Sequence, residues 1–477
     1  MGQKGLDMRV PVLVTGLIVL LWLAAGSAAG SSVAPEPPAV SGARATGPEV
    51  VRAGETTTHT VYLPWIAKRY PMEDGPFGVQ VYGVHLDWVY RMTAMGMRWV
   101  RLPLYWRYIE PQNTTPQYYT WQPGFEQQLA GFSASGVQVI LTLDSNPSWA
   151  ATYLNGPIDR VEIGELTQFV QAAVWRYSQP PYNVKYWEFY NEPDNGNVLF
   201  AEQGAGYFGH TPGAYVDVLE AVYQPIKSVD PEAQVLLGGL AYDAWPDPFV
   251  EDFLDQVLIN GGAAYFDVMN FHYYPAFRAN WEPYGHDILG KLTYLRTKLA
   301  AYGVQKPFAC TETGWFTNPD AGGSDEVQSR FVAQVFVRGA SAELDPVIWF
   351  MLHDSPWDPR SWGLVDIELN PKPSYYAFRT LTTQLFRADY ARTLGPEETG
   401  SDQVEAYEFT TPGHTIVVAW TNDDGTHELA LEAVQVKVVD KFGNGTIVYD
   451  GDDGLIDGRV HVWTGPSPVY LRLGEAQ

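Results

Sequence analysis

Eight short apolar runs punctuate the chain beyond residue 75, and the segments between them carry the spacing of helices. The runs are 78–86, 97–104, 137–143, 184–192, 233–240, 266–274, 307–315 and 346–354. Between them lie stretches such as 161–177, 215–229, 288–302 and 327–342, where apolar residues recur at three and four positions. A strand apolar on nearly every residue is buried on both faces, as in a parallel sheet covered by helices. Eight strand–helix units of this kind close into a (β/α)8 TIM barrel, an α/β fold expected here over residues 75–388.

After a last helical segment at 373–387 the pattern changes to short alternating runs at 403–409, 415–420, 427–431, 434–440, 460–462 and 469–473. Turn clusters such as Asn422-Asp423-Asp424-Gly425 and Asp450-Gly451-Asp452-Asp453-Gly454 separate them. A small C-terminal β-sandwich over 389–477 is predicted, its expected role to cover apolar surface on the barrel. The acidic stretch 450–458 lacks the terminal Glu that a calcium loop requires and reads as a plain turn.

The N-terminus runs from Lys4 and Arg9 through an apolar stretch to the small residues Gly26-Ser27-Ala28-Ala29-Gly30. That order is an export signal over 1–30, either cleaved or kept as a membrane anchor, and places the folded part in an extracellular, secreted setting. Residues 31–74, rich in Pro, Ala, Gly, Ser and Thr, read as a linker. The lone Cys310 allows no intramolecular disulfide. With 30 basic against 55 acidic residues the formal charge is -25, which repels nucleic acid. The 17 Trp and 29 Tyr supply flat rings that suit stacking on sugars. Histidines are scattered without metal-ligand spacing, so neither a cofactor nor a metal is implied.

Barrel enzymes gather their chemistry at the C-terminal ends of the strands. The fourth run ends Tyr190-Asn191-Glu192-Pro193, and the seventh Cys310-Thr311-Glu312-Thr313-Gly314-Trp315. Each sets a carboxylate at the lip, on strands that face one another across the mouth. Hydrolysis of a glycosidic bond with retention needs two such groups about 5 to 5.5 Å apart, one to protonate the leaving oxygen and one to attack the anomeric carbon.

Asn191-Glu192-Pro193 on strand four together with Glu312 on strand seven resembles clan A of the glycoside hydrolases, the retaining barrels that include families 5 and 39. The resemblance covers roughly residues 75–388. It implies that Glu192 is the acid/base and Glu312 the nucleophile, that Arg101 helps keep Glu312 ionised, and that Asn191 binds the sugar's 2-hydroxyl. It also implies a role for His272 and Tyr274 in Phe271-His272-Tyr273-Tyr274-Pro275, the tyrosine touching the nucleophile, and it makes Trp349 the ring under the cleaved sugar. Trp149 and Trp315, with Trp106 and Trp362, are further candidate platforms set against plain core packing. Strand three ends Asp144-Ser145-Asn146-Pro147-Ser148-Trp149, which departs from any one family's pattern. The expected activity is a retaining glycosidase acting on a β-linked poly- or oligosaccharide. A non-catalytic surface carbohydrate-binding protein on a degenerate barrel, and a transglycosidase, stay open at this level.

Overall fold

The computed structural model describes residues 75–196, 207–243, 249–356 and 358–474. The segments read as export signal and linker lie outside the described residues. Among the described residues no helix is long and apolar enough to cross a membrane.

All eight expected strands form. They are β1 (Phe77–Gln80), β2 (Trp99–Tyr105), β3 (Gln138–Asp144), β4 (Tyr186–Phe189), β5 (Gln234–Leu237), β6 (Met269–Tyr273), β7 (Phe308–Thr313) and β8 (Val347–Trp349). Pairing is parallel in the order β5-β4-β3-β2-β1-β8-β7-β6. The β5–β6 seam is closed by Leu237 N donating to Val268 O at 3.1 Å and His272 N to Leu240 O at 2.9 Å. The coat consists of α1 (Leu86–Ala94), α2 (Pro123–Ala134), α3 (Gly164–Tyr177), α4 (Pro212–Val229), α5 (Phe253–Ile259), α6 (Ile288–Ala301), α7 (Asp325–Ser341) and α8 (Pro373–Gln384), one after each strand. Ser324 caps α7, its hydroxyl accepting from Val327 N at 3.1 Å.

Strand alternation sorts the side chains into two environments. Residues such as Val79, Val100, Leu141, Trp187 and Leu237 join the helices in the main core. Trp99, Ile140, Leu236, Val268, Ala309 and Ile348 fill the barrel's lowest interior layer. Gly78 fits there because a Cβ would come within 2.2 Å of Ile348 and 2.8 Å of Trp99. The layer above is polar: Gln80, Arg101, Thr142, Glu188, Asn270 and Thr311, all buried and hydrogen-bonded to one another. The barrel is thus apolar at its floor and polar toward its C-terminal mouth.

The C-terminal part is antiparallel. A six-stranded sheet runs in the order β14-β13-β16-β11-β10-β9, and β12 pairs with β15 in a second, two-stranded sheet. The strands are β9 (Asp389–Thr393), β10 (Val404–Thr410), β11 (Thr415–Thr421), β12 (His427–Glu432), β13 (Gln435–Asp440), β14 (Gly445–Tyr449), β15 (Arg459–Thr464) and β16 (Val469–Leu473). β9 and β14 are additions to the sequence reading, and both are edges of the larger sheet.

One face of that sheet packs on the smaller sheet through Val404, Ala406, Val417, Ala419, Leu429, Val462 and Leu471. The opposite face, with Tyr407, Phe409, Ile416, Val418, Trp420 and Tyr470, belongs to the barrel's own core. Arg338 of α7 pins the junction: it is almost wholly buried, lies 2.9 Å from both Asp287 and Glu405 of β10, and stacks over the Trp420 ring.

Candidate active site

Above the polar layer Glu192 and Glu312 meet over His272. One carboxylate oxygen from each glutamate and a ring nitrogen of His272 lie within 4.8 Å of one another, and all three side chains are buried. These are also, among the described residues, the donors close enough to share a cation. Arg101, 3.4 Å from Glu312, places a positive charge beside them and favours proton chemistry instead.

Local folding aims these groups. β4 ends in a turn where Tyr190 and Glu192 adopt left-handed φ of 63 and 50 degrees, conformations that cost a non-glycine residue about 1 to 3 kcal/mol. Two residues on, buried Asp194 clamps the turn to the end of β5 by accepting from Ala241 N at 3.0 Å and Tyr242 N at 2.9 Å. β7 shifts register between Cys310 and Thr313, so that consecutive Thr311 and Glu312 both contact the interior network. Gly239 makes room for His272, whose ring nitrogen sits 2.1 Å from where a Cβ would be.

The two carboxyls have different surroundings. Glu192 is held well above the usual carboxylate range, first by burial, then by the charges of Glu312 and Asp194, against Arg101 and Lys291. Among the described residues the side chain hydrogen-bonded to it is His272, with Nδ1 at 3.0 Å from Oε1. Burial also raises Glu312, but Arg101 and the Tyr274 hydroxyl pull it back. His272 is pushed far below its ordinary value by burial, Arg101 and Lys291, and is neutral. For Glu192, like-charge repulsion from Glu312 is therefore the second cause, behind burial.

The structure brings together Glu192, Glu312, Arg101, Asn191, His272 and Tyr274. Tyr274 donates to Glu312 Oε1. Tyr273 lies on the other side of the strand, near Asp287 and Arg338. Asn191 accepts from Arg101 Nη2 at 2.8 Å through its carbonyl, and among the described residues no acceptor takes its amide hydrogens. Arg101 contacts Glu312, yet its paired donors go to Glu188 at 2.6 and 3.0 Å, so its stronger bond is an internal ion pair.

Trp349 departs from its expected place. It has no exposure and packs outward on Phe331 of α7, with ring centroids 6.2 Å apart. The next residue, Phe350, has the inward parity and neighbours Tyr82 at 6.2 Å and Trp362 at 5.8 Å, and Trp362 in turn contacts Tyr274 at 5.3 Å. Of the other rings, Trp106 is fully buried against Phe169, and Trp149 is half-buried with its indole nitrogen on the Glu110 carbonyl at 3.0 Å. Trp315 is half-buried and stacked on Phe316 at 4.8 Å.

Glu188, Tyr82 and Asp144 are among the site residues that the sequence did not single out. Glu188 is the hub of the polar layer; its signal was a lone charge inside an apolar strand, four positions before Glu192 and on the same face. Tyr82, at the end of β1, sits within the fields of Glu312, Arg101, Asp144 and Glu192, and burial pushes its hydroxyl far up. Asp144, at the end of β3, is raised to about 6 by burial, opposed by the Ser145 hydroxyl, Arg101 and Arg107.

No curated protein matches the sequence. Solved structures resemble it in fold. A family 39 glycoside hydrolase from the gut symbiont Bacteroides cellulosilyticus WH2 aligns with a TM-score of 0.67 at 20% identity, over 84% of this chain and 81% of that one. A GH39 β-xylosidase from Caulobacter crescentus gives 0.55 at 17% identity, over 84% and 97%. A GH30 endoxylanase from Clostridium papyrosolvens C71 gives 0.56 at 12%, over 84% and 96%. The family model for cellulase, glycosyl hydrolase family 5, matches residues 82–336, more than half of the sequence, and spans the strands that carry both glutamates. This chain belongs to glycosyl hydrolase family 5, the cellulase family, and is a glycoside hydrolase.

Proposed function

We propose that this enzyme cleaves β-glycosidic bonds in a poly- or oligosaccharide with retention of configuration, Glu312 attacking the anomeric carbon and Glu192 serving as acid and then base. The observation that carries this reading is the close approach of the two carboxylates, one oxygen of Glu192 lying within 4.8 Å of one oxygen of Glu312. Inverting enzymes hold their carboxyls about 6.5 to 9.5 Å apart to seat a water between them, whereas direct attack needs about 5 to 5.5 Å. Buried and facing an anion, Glu192 keeps its proton for the leaving oxygen. Once Glu312 is esterified its charge is gone, the chief like-charge repulsion on Glu192 disappears, and Glu192 can take a proton from the incoming water.

The order of charged, apolar and small residues over 1–30 supports action outside the cytoplasm, where polymeric glycans are met. Structural neighbours named as a β-xylosidase and an endoxylanase put xylan beside β-glucan at the head of a substrate panel. The test is release of reducing sugar from β-linked glucans, xylans, mannans and galactans by wild type, Glu192→Gln and Glu312→Gln, with the first-formed anomer read by proton NMR. Turnover lost in both variants and a retained anomer support the proposal; an inverted anomer, or full activity in Glu312→Gln, refutes it. Binding without turnover would leave a carbohydrate-binding protein, and transfer to added sugar in preference to water would mark a transglycosidase.

A further inference from the structure

Beneath the catalytic pair lies a third glutamate, Glu188, with no solvent exposure. Its Oε2 accepts from Arg101 Nε at 2.6 Å and the Thr142 hydroxyl at 2.7 Å. Its Oε1 accepts from Arg101 Nη2 at 3.0 Å, Asn270 Nδ2 at 2.9 Å, the Thr311 hydroxyl at 3.1 Å and Gly239 N at 3.2 Å. Every partner is a donor, so the form they suit is the carboxylate.

Arg101 has five N–H groups, and each has an acceptor. Nε and one Nη2 hydrogen go to Glu188, the other Nη2 hydrogen to Asn191, and Nη1 reaches Gln80 at 3.1 Å and Glu312 at 3.4 Å. The two-toothed side of the guanidinium is occupied, and Glu312 receives a single long contact. Without Glu188 the same fork could close on the nucleophile and quench it.

A second path leads to Glu192. Thr311 has one hydroxyl hydrogen, and the adjacent Glu188 carboxylate can only accept it. Toward His272 Nε2, 3.3 Å away, Thr311 then offers a lone pair, so the imidazole carries its hydrogen on Nε2. That leaves Nδ1 bare, 3.0 Å from Glu192 Oε1. The form of Glu192 that fits a bare nitrogen is the carboxylic acid.

We propose that Glu188 is a positioning residue for the hydrolysis: it holds Arg101 to one contact with Glu312 and, through Thr311, selects the His272 tautomer that keeps the proton on Glu192. The inference rests on the two-carboxylate reading above. Among the described residues, the other charged or titratable groups facing the pair are Asp194 and Lys291 around Glu192, Tyr274 and Tyr82 around Glu312, and Tyr207 and Asp144 on the β3 side. All of these are unchanged by the substitutions that follow.

The test joins a tautomer measurement to a pH profile. In protein with 15N-labelled histidine, the His272 signal, assigned by its loss in His272→Asn, is expected to show the Nε2–H form at neutral pH. Thr311→Val removes the lone pair that holds this form. The ring should turn to Nδ1–H and donate to the Glu192 carboxylate, and the upper limb of kcat/KM against pH should fall by about one unit while the lower limb stays. Glu188→Gln leaves Arg101 uncompensated, and both limbs should move down by about one unit. If Glu188→Gln does not fold, Thr311→Val, which keeps the Arg101–Glu188 pair, carries the test. An Nδ1–H tautomer in wild type, or variants that lose rate with both limbs in place, overturns the inference. Wild type inert on every glycan would sink the hydrolytic reading instead, and the tautomer measurement needs no turnover.

Discussion

The phenolic hydroxyl of Tyr274 is hydrogen-bonded to Oε1 of Glu312, the oxygen opposite the one that faces Arg101. Both oxygens of the proposed nucleophile are therefore held, one by a neutral donor and one by a cation. A bond to a charged acceptor contributes about 1.5 to 3 kcal/mol, and it stabilises the ionised form alone. In Tyr274→Phe the carboxyl of Glu312 should rise, and the lower limb of kcat/KM should move up by about one to two pH units. An unmoved lower limb would mean that another group titrates there.

Glu192→Gln should separate the two chemical steps. With a natural glycan the leaving sugar needs a proton, and the rate should fall by about 100- to 10,000-fold. With an aryl glycoside whose phenol leaves unaided, the first step should survive and the glycosyl-enzyme accumulate. A burst of phenol followed by slow turnover is the expected trace, and added azide should restore turnover as a glycosyl azide of retained configuration. Equal losses on both substrates would contradict the acid role.

Strand parity at the end of β8 gives a paired prediction. Trp349→Ala opens a cavity under α7 and should cost about 3 to 5 kcal/mol of stability, read by urea unfolding, with KM little changed in the folded protein. Phe350→Leu should do the reverse, raising KM about three- to tenfold at nearly wild-type stability, the scale of one aromatic contact. If Trp349→Ala alone alters KM, the ring turns inward when substrate binds.

Arg338 carries the junction between barrel and C-terminal sheet. Arg338→Ala takes the cation from buried Asp287 and leaves Glu405 with His286 at 3.3 Å in place of the guanidinium, and should cost about 3 to 5 kcal/mol. Differential scanning calorimetry should show barrel and sheets still melting in one transition, at lower temperature. Ending the chain after residue 388 should do more harm, because Tyr407, Phe409, Ile416, Val418, Trp420 and Tyr470 form part of the barrel's core. The shortened chain should be insoluble or lack a cooperative transition; a stable, active barrel from that truncation would show that the sheets are dispensable.

The barrel was legible because its strands are apolar on both faces and bounded by helical spacing, a pattern with few alternative folds. Glu192 and Glu312 stood out as polar residues closing apolar runs. What stayed hidden depends on parity and on neighbours brought from far along the chain. Nothing local says that Trp349 turns outward and Phe350 inward, since both are aromatic in a run without alternation. Glu188 is recognisable only once Arg101, Thr142, Asn270 and Thr311 are folded around it. β9 and β14 were missed because edge strands are largely solvent-facing, and their mixed residues carry neither period.

The left-handed turn at Glu192 also has a bearing on how such a protein ages as a sequence. Asparagine enters that backbone conformation more readily than glutamate, and it would not set a second acid beside Glu312 in a dry interior. Glu192→Asn should accordingly melt at a higher temperature than the native enzyme while doing no chemistry. In a lineage selected for persistence alone this position would be among the first to drift, and durability and catalysis pull the same codon in opposite directions.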